Sequence, residues 1–169
     1  MSRAPASHRI GRYDGAGRSP LLVVVLAGEF GRADLVAFLA DFHEALFGAG
    51  LGGSRFGLLI DTRQAGVADG RALSGQIAAW MRERNELFRE CSLGTAIVTA
   101  GLGVRLLLEL VFAVQKPASE TRVCNWDAPL GVGGVRAREE RLLGVLAWLM
   151  DAGAAIPSDQ ELVQIVSPN

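Results

Sequence analysis

Residues 56–63 read FGLLIDTR, an apolar run that ends on an acid, a hydroxyl and a base. Its bulky aliphatic side chains are typical of a strand that is covered on both faces. We expect the strand to end at Asp61, with Thr62 and Arg63 opening the following loop. The carboxylate of Asp61 is then expected to accept hydrogen bonds from backbone N–H groups of that loop, which is a structural role.

Three other segments have the same strand character, namely LLVVVLAG at 21–28, GTAIVTA at 94–100 and TRVCNW at 121–126. Helical patterns, in which apolar residues recur at spacings of three and four, separate these strands. We predict helices over residues 33–47, 69–90, 103–115 and 136–150. Asp69 is the expected N-cap of the second helix, and Leu73, Ile77, Trp80, Met81 and Leu87 are expected to face inward.

Strands that alternate with helices of this length form a parallel sheet with helices on its faces. The predicted fold class is therefore α/β, a single domain with a mostly parallel sheet of about four to five strands. The segment HRIGRYD at 8–14 predicts an antiparallel edge strand at the N-terminus. We divide the chain into an N-terminal arm at 1–20, an α/β domain at 21–150 and a C-terminal tail at 151–169, with a short helix at 159–166.

The charge balance excludes several classes of partner. Seventeen basic and eighteen acidic residues leave a net charge of -1, so no overall field attracts nucleic acid or an anionic membrane. The apolar stretch at 104–114 is too short to span a bilayer, and the basic leader before residue 21 is interrupted by turn signals, so we expect no membrane insertion and no secretion. Two isolated cysteines and two histidines predict no zinc site, no cofactor and a cytoplasmic protein.

The order of parts resembles the STAS-like or SpoIIAA-like proteins, regulatory domains typified by anti-sigma-factor antagonists. The resemblance covers residues 21–149. It is carried by CSLGTAIVTA, the Arg-containing helix GVRLLLELVFAVQKP, the strand RVCNW and a closing helix that ends in AWL. It implies a domain that binds a protein or a ligand and regulates it, because these motifs specify architecture more than activity.

The chain departs from that family at one position that matters for regulation. Antagonists of the sporulation type carry a phosphorylatable serine in a turn a few residues beyond the strand that ends in Asp. Here the corresponding stretch is QAGVADGR at 64–71, which contains no hydroxyl. We therefore expect a regulatory domain without the usual phosphoacceptor serine.

Polar residues follow several of the predicted strands. Because the carboxyl ends of parallel strands meet at one edge of the sheet, these side chains are candidates for binding a ligand or a partner. The candidates are Glu29, Asp61, Thr62, Arg63, Thr99, Trp126 and Asp127. Three acids near one edge also leave open a metal-dependent enzyme or a degenerate phosphoreceiver. No nucleotide-binding or nucleophile-elbow motif follows any strand, so we assign no catalytic residue and no metal ligand.

The predicted helix at 103–115 has more apolar surface than one sheet contact can cover. At 100° per residue, Leu107, Leu110, Val111 and Val114 are expected to face the sheet. The outward face would then carry the interface candidates Arg105, Leu108, Glu109 and Phe112, which favours a homodimer or a protein partner. Trp80 and Trp148 lie on apolar helical stripes and are expected in the core.

These patterns together predict a non-catalytic regulatory or protein-interaction domain. A domain that binds a small ligand, or an enzyme that uses the acids at the strand ends, is the alternative.

Overall fold

The computed structural model describes residues 4–48, 51, 53–127, 134–155 and 157, with the backbone alone for residues 134–137. Within these ranges the chain forms strands and helices in near-regular alternation. The strands are β1 (Ser7–Gly15), β2 (Arg18–Phe30), β3 (Phe56–Val67), β4 (Ser92–Thr99) and β5 (Thr121–Asn125). The helices are α1 (Arg32–Phe47), α2 (Gly70–Glu83), α3 (Asn85–Cys91), α4 (Leu102–Val114) and α5 (Gly134–Asp151).

All the named strands belong to one sheet with the order β1-β2-β3-β4-β5. β1 and β2 form an antiparallel hairpin, and each later pair of neighbours is parallel. Gly17 sits in the hairpin turn with φ of 70°, a conformation that glycine adopts at little cost. The predicted α/β fold, with its parallel sheet and antiparallel N-terminal edge strand, is confirmed.

The sheet separates two hydrophobic cores, because successive side chains of a strand point to opposite faces. On the first face, Leu58 and Ile60 of β3 belong to the core formed with α1, α2 and α4. On the second face, Leu59 of β3 and Val98 of β4 pack in a core with α5. Both central strands are thus covered on both sides, as their continuous apolar runs predict.

β3 does not end at Asp61, as we predicted, but continues to Val67. β2 has a bulge between Val25 and Ala27, and beyond the bulge residues 27–30 pair with residues 64–67. The polar residues do not stop β3, because the neighbouring strand still supplies partners for its backbone N–H and C=O groups. Only Ala68 and Asp69 remain between β3 and α2.

The helix predicted over 69–90 is divided at Arg84 into α2 and α3. Asp69 caps α2 as expected, since its carboxylate accepts a hydrogen bond of 3.1 Å from the backbone N–H of Ala72. Arg84 leaves the helical conformation, with φ of -112° and ψ of 11°, and its Nε lies 3.1 Å from Nδ1 of His43. The break exposes Leu87, which was predicted to face inward, while Phe88 packs against the core.

The prediction for the orientation of α4 is wrong in part. Leu107 and Val111 face the core as expected, but Leu110 and Val114 are 47% and 65% exposed. Leu108 and Phe112, expected on the outside, are half-buried instead. The reason is that α4 packs against α2 as well as against the sheet, which widens its buried face toward these two residues.

The chain after α5 returns to the start of β2. The backbone N–H of Ala155 donates to the carbonyl of Ser19 at 2.7 Å, and the N–H of Ser19 donates to the carbonyl of Gly153 at 3.1 Å. The predicted tail helix at 159–166 lies outside the described residues, and the proposed segment boundaries at 20 and 150 stay predictions.

The packing of β4 against α5 predicts that Gly94 does not tolerate a side chain. A Cβ atom at Gly94 would lie 2.7 Å from Cη2 of Trp148, closer than the van der Waals contact of two carbons. We expect Gly94→Ala to lower the free energy of unfolding by about 1–3 kcal/mol, because the indole ring has to move. Urea unfolding followed by circular dichroism measures this loss.

Gly144→Ala is the matched control, since a Cβ at this α5 position meets no atom within 4 Å. We expect this variant to match the wild type or to gain up to about 1 kcal/mol of stability, because alanine favours a helix. Equal stability of Gly94→Ala and the wild type would contradict the packing of Trp148 on β4.

Candidate functional site

Some of the predicted site residues meet in an open cleft at the carboxyl end of the sheet. Glu29 of β2, Arg63 of β3 and Asp127 after β5 all line this cleft. Backbone of Gly28, Gly66 and Gly101 forms part of its wall, and the φ of Gly28 is 80° because Pro5 passes directly beside it. The sequence did not indicate the close approach of the N-terminal residues to this cleft.

Asp61 and Arg63 form a buried ion pair on the second face of the sheet. Arg63 donates from Nε to Oδ1 of Asp61 at 3.0 Å and from Nη2 to Oδ2 at 2.7 Å, which is a two-point contact. The two side chains are only 5% and 7% exposed. The two residues lie on the same side of β3 because they are two positions apart.

The backbone contact expected of Asp61 is also present. The N–H of Arg63 donates to Oδ1 of Asp61 at 3.0 Å. The carboxylate therefore accepts three hydrogen bonds from a single residue. Sequence reasoning missed the side-chain part of this contact, although the Asp-x-Arg spacing in a strand signals it.

Trp126 extends this arrangement on the second face. The guanidinium carbon of Arg63 lies 4.5 Å from the centre of the Trp126 ring, a favourable cation–π distance. Trp126 is half-buried and packs against the core under α5. Trp126 was a candidate binding residue because it lies at a strand end. In the structure its ring packs against the guanidinium group of Arg63.

Cys124 lies in the same core and has a raised thiol pKa. Burial raises the pKa, and the positive charges of Arg141 and Arg63 oppose that rise. A raised pKa keeps the thiol protonated at neutral pH, so Cys124 is a poor nucleophile in this position.

The two threonines among the candidates do not reach the cleft. Thr62 is buried and donates from Oγ1 to the backbone carbonyl of Val98 at 2.9 Å. Thr99 is completely buried, and its hydroxyl has no hydrogen-bond partner in the described part of the chain. Asp127 accepts a hydrogen bond of 2.7 Å from the backbone N–H of Gly101 and so stabilises the start of α4.

No cluster of three or more His, Cys, Asp or Glu side chains suited to a metal ion occurs among the residues that the structure describes. The carboxylates of Asp61 and Asp127 are each occupied by hydrogen bonds from the protein. The carboxylate of Asp61 is held within β3 by Arg63, and Asp61 does not line the cleft.

A second site, which sequence reasoning did not find, lies on the first face of the sheet. A partly open cavity of about 180 Å³ lies between the sheet and the helices α1, α2 and α4. Aromatic side chains form much of its wall, including Phe30, Phe38, Phe42, Trp80, Phe88 and Phe112. No charged side chain lines it among the described residues.

Of these residues, Trp80 was predicted to lie in the core and Phe112 on the outward face, and each of the aromatic residues named packs against the core. The signal that points to the cavity is their number. Aromatic side chains from α1, α2, α3 and α4 all converge on one face of the sheet.

α4 carries the third feature, a row of exposed apolar residues on the side opposite the cavity. We call this row the α4 stripe, and it consists of Leu102, Leu106, Leu110 and Val114. The spacing of four residues keeps the stripe on one face of the helix. Of the predicted interface residues, Arg105 and Glu109 lie beside the stripe, whereas Leu108 and Phe112 line the cavity.

No protein-family model and no curated protein matches this chain. One similar solved structure is an uncharacterised protein of the DUF3478 family from Shewanella loihica PV-4, described as having a SpoIIAA-like fold. The two chains are 16% identical and superpose with a TM-score of 0.46, over 73% of this chain and 90% of that one.

No helix in the described part of the chain has both the length and the apolar run needed to cross a membrane.

The buried ion pair generates a stability prediction. Arg63→Met leaves the carboxylate of Asp61 buried without its counter-charge, so we expect a loss of about 3–5 kcal/mol in the free energy of unfolding. The double variant Asp61→Leu/Arg63→Met should regain most of this loss, because no lone charge stays buried. Urea unfolding of the variants and the wild type measures both effects.

Arg12→Met is the matched control, because Arg12 and Asp14 of β1 form the same i, i+2 pair at the surface, with Nη2 and Oδ1 2.8 Å apart. We expect its loss to stay below about 1 kcal/mol, as for other exposed ion pairs. An equally small loss for Arg63→Met would show that burial does not increase the contribution of the Asp61–Arg63 pair to stability.

Proposed function

We propose that this chain is a non-catalytic binding domain that takes a small apolar molecule into the cavity on the first face of the sheet. The observation that carries the proposal is the cavity itself, about 180 Å³ in volume and lined almost entirely by apolar side chains. Small-molecule sites in proteins are concave and mostly apolar, and this cavity has both properties.

The size of the cavity supports this interpretation. A cavity of about 150 Å³ in another protein accepts benzene, so the space here suits a molecule with one ring and a small substituent. Filling it restores contacts that the surrounding side chains lack.

The surroundings of the other candidate residues favour binding over catalysis. The carboxylate of Asp61 is held in an ion pair, and burial keeps the thiol of Cys124 protonated. Thr62 lines the cavity, but its hydroxyl already donates a hydrogen bond to the carbonyl of Val98. We infer that occupancy of the cavity, rather than group transfer, is the event to which this domain responds.

Such a ligand would also supply the regulatory input that the resemblance to STAS-like proteins calls for. The turn between β3 and α2 is Ala68 and Asp69, which offers no phosphoacceptor. The nearest serine, Ser74, lies within α2, where its hydroxyl donates to the carbonyl of Arg71 at 2.8 Å. Control by a bound small molecule fits this chain better than control by a serine kinase.

A cavity-filling variant tests the proposal. Leu108 lines the cavity, so Leu108→Trp should occupy part of the space and weaken binding of toluene, a one-ring apolar probe. At a free concentration of about 100 Kd, a probe that binds only the folded state stabilises the protein by about 2.7 kcal/mol. The shift in thermal unfolding temperature on adding toluene should be clear for the wild type and small for Leu108→Trp.

Leu87→Trp is the control, because Leu87 is exposed on α3 and does not line the cavity. It introduces the same residue and should keep the full shift with toluene. If toluene does not stabilise the wild type, or stabilises Leu108→Trp equally, the cavity does not bind apolar molecules.

A second function is favoured by the α4 stripe, and the partner that we propose for it is a second copy of this chain. The stripe is symmetric along the helix, since Leu102 and Val114, and likewise Leu106 and Leu110, are equally distant from position 108. Two antiparallel α4 helices related by a two-fold axis would therefore place Leu106 against Leu110 of the second copy. The stripe extends about 18 Å along the helix, at 1.5 Å per residue.

Charge complementarity supports the same arrangement. Arg105 and Glu109 border the stripe, one helical turn apart. In the antiparallel arrangement, Arg105 lies near Glu109 of the second copy, so opposite charges meet at the rim of an apolar contact. The net charge of -1 gives little long-range repulsion between copies.

Sedimentation equilibrium tests this association. We expect the wild type to dimerise at micromolar concentrations and Leu106→Asp to remain monomeric, because the variant places a charge in the centre of the apolar contact. Leu87→Asp, at an exposed leucine outside the stripe, should dimerise like the wild type. A monomeric wild type counts against self-association through α4.

A further inference from the structure

We propose that the ligand of the cavity has an uncharged polar group at one end, such as a hydroxyl or a carbonyl, which forms a hydrogen bond with the hydroxyl of Thr95. The rest of the molecule is apolar and lies toward Phe30 and Val67. This inference rests on the proposed function, because it names the class of molecule that the same cavity takes.

The side chain of Thr95 lies on the first face of the sheet, and the residue lines the cavity. Thr95 of β4 is paired in register with Leu58 of β3, which belongs to the core of the first face. The next residue, Ala96, belongs to the core of the second face, as the alternation along a strand requires. The sheet therefore fixes the position of the threonine, and its branched side chain has little rotational freedom.

The hydroxyl of Thr95 has no hydrogen-bond partner among the residues that the structure describes. The residue is only 8% exposed. Its oxygen nevertheless keeps accessible surface, unlike the unpaired hydroxyl oxygen of Thr99, which is fully enclosed. Because the side chain lies on the first face, this surface is open on the side of the sheet where the cavity lies.

The other polar side chains of the wall need a ligand less. The hydroxyls of Thr62 and Thr121 each donate to a backbone carbonyl, at 2.9 and 3.2 Å. The hydroxyl of Ser119 is paired with another serine hydroxyl at 3.0 Å. Asn85 is half-buried, so water can reach part of its amide, and the indole nitrogen of Trp80 is fully enclosed. The threonine of β4 thus combines deep burial with an accessible, unpaired hydroxyl.

Three of the polar side chains, those of Thr95, Ser119 and Thr121, lie toward one end of the cavity. Thr95 and Thr121 are register partners near the amino ends of β4 and β5. Phe30 and Val67, which also line the cavity, are register partners at the carboxyl ends of β2 and β3. Since these strands are parallel, one end of the cavity is polar and the other is apolar. The described wall has no charged side chain, so a neutral molecule with one polar end matches it.

Thr95→Val tests the contribution of the hydroxyl, because valine keeps the shape of the side chain and removes its oxygen. Toluene and phenol are the probes, since phenol has a hydroxyl where toluene has a methyl group. The variant should bind phenol about fivefold more weakly than the wild type, as loss of one neutral hydrogen bond predicts. Its affinity for toluene should change less than about twofold, and titration calorimetry measures both affinities.

Thr99→Val is the control, because it makes the same change in the same strand at an unpaired hydroxyl that does not line the cavity. It should leave the affinities for both probes unchanged. Neither threonine hydroxyl has a protein partner to lose, so we expect both variants to melt no lower than the wild type. An equal change for both probes in Thr95→Val, or no change for phenol, would overturn the proposal.

A second measurement uses the wild type and does not depend on a variant. Nuclear Overhauser effects should connect the ring protons of bound phenol to the methyl group of Thr95. Effects to Phe30 and Val67 without any to Thr95 would place phenol at the apolar end and contradict the inference. If toluene stabilises the wild type but phenol does not bind, this inference is wrong and the binding function stands; if neither probe binds, both are wrong.

Discussion

The ion pair between Asp61 and Arg63 allows β3 to continue as a strand through the centre of the sheet. Without a counter-charge, a carboxylate at this depth would have to reach water, and the strand would have to leave the sheet to bring it there. Because Arg63 neutralises it from two positions along the same strand, residues 64–67 stay paired with β2. Residues 65–67 then form part of the cavity wall, and Arg63 itself reaches the open cleft.

The two faces of the sheet consequently differ in character. On the second face, the Asp61–Arg63 ion pair and Trp126 fill the space beside α5. Arg63 binds the carboxylate of Asp61 and packs against the ring of Trp126. On the first face, aromatic rings from several helices meet and leave a cavity among them. The tight packing of the second face contributes stability that offsets the looser packing of the first.

The sequence predicted the strands and the antiparallel hairpin well, because those features depend on local patterns of apolar residues. The end of β3 was misplaced because a charged residue in a strand looks like a terminus until its partner is recognised, and Arg63 was taken for a loop residue. The orientation of α4 was misjudged because its contact with α2 is a long-range feature. Because of that contact, Leu108 and Phe112 line the cavity and do not lie on the exposed face of α4.

The candidate site could likewise be predicted from the sequence only in part. Glu29, Arg63 and Asp127 were found because the carboxyl ends of parallel strands meet at one edge of a sheet. The cavity was not found, because a lining residue such as Phe42 has the same periodicity in the sequence as a residue in a solid core. Whether rings interdigitate or leave a gap depends on the distances between helices, which periodicity does not report.

α4 has one side on the cavity and the other side bare, so a single rigid element separates the two proposed binding events. A molecule that displaces α4 by even a fraction of a helical turn would also displace the stripe. Thermodynamic linkage then requires the effect to be mutual: if an occupied cavity strengthens pairing of two copies, pairing must strengthen retention of the molecule by the same factor. If both proposed binding events take place, the thirteen residues of α4 would couple them, and the state of assembly would depend on whether the cavity is filled.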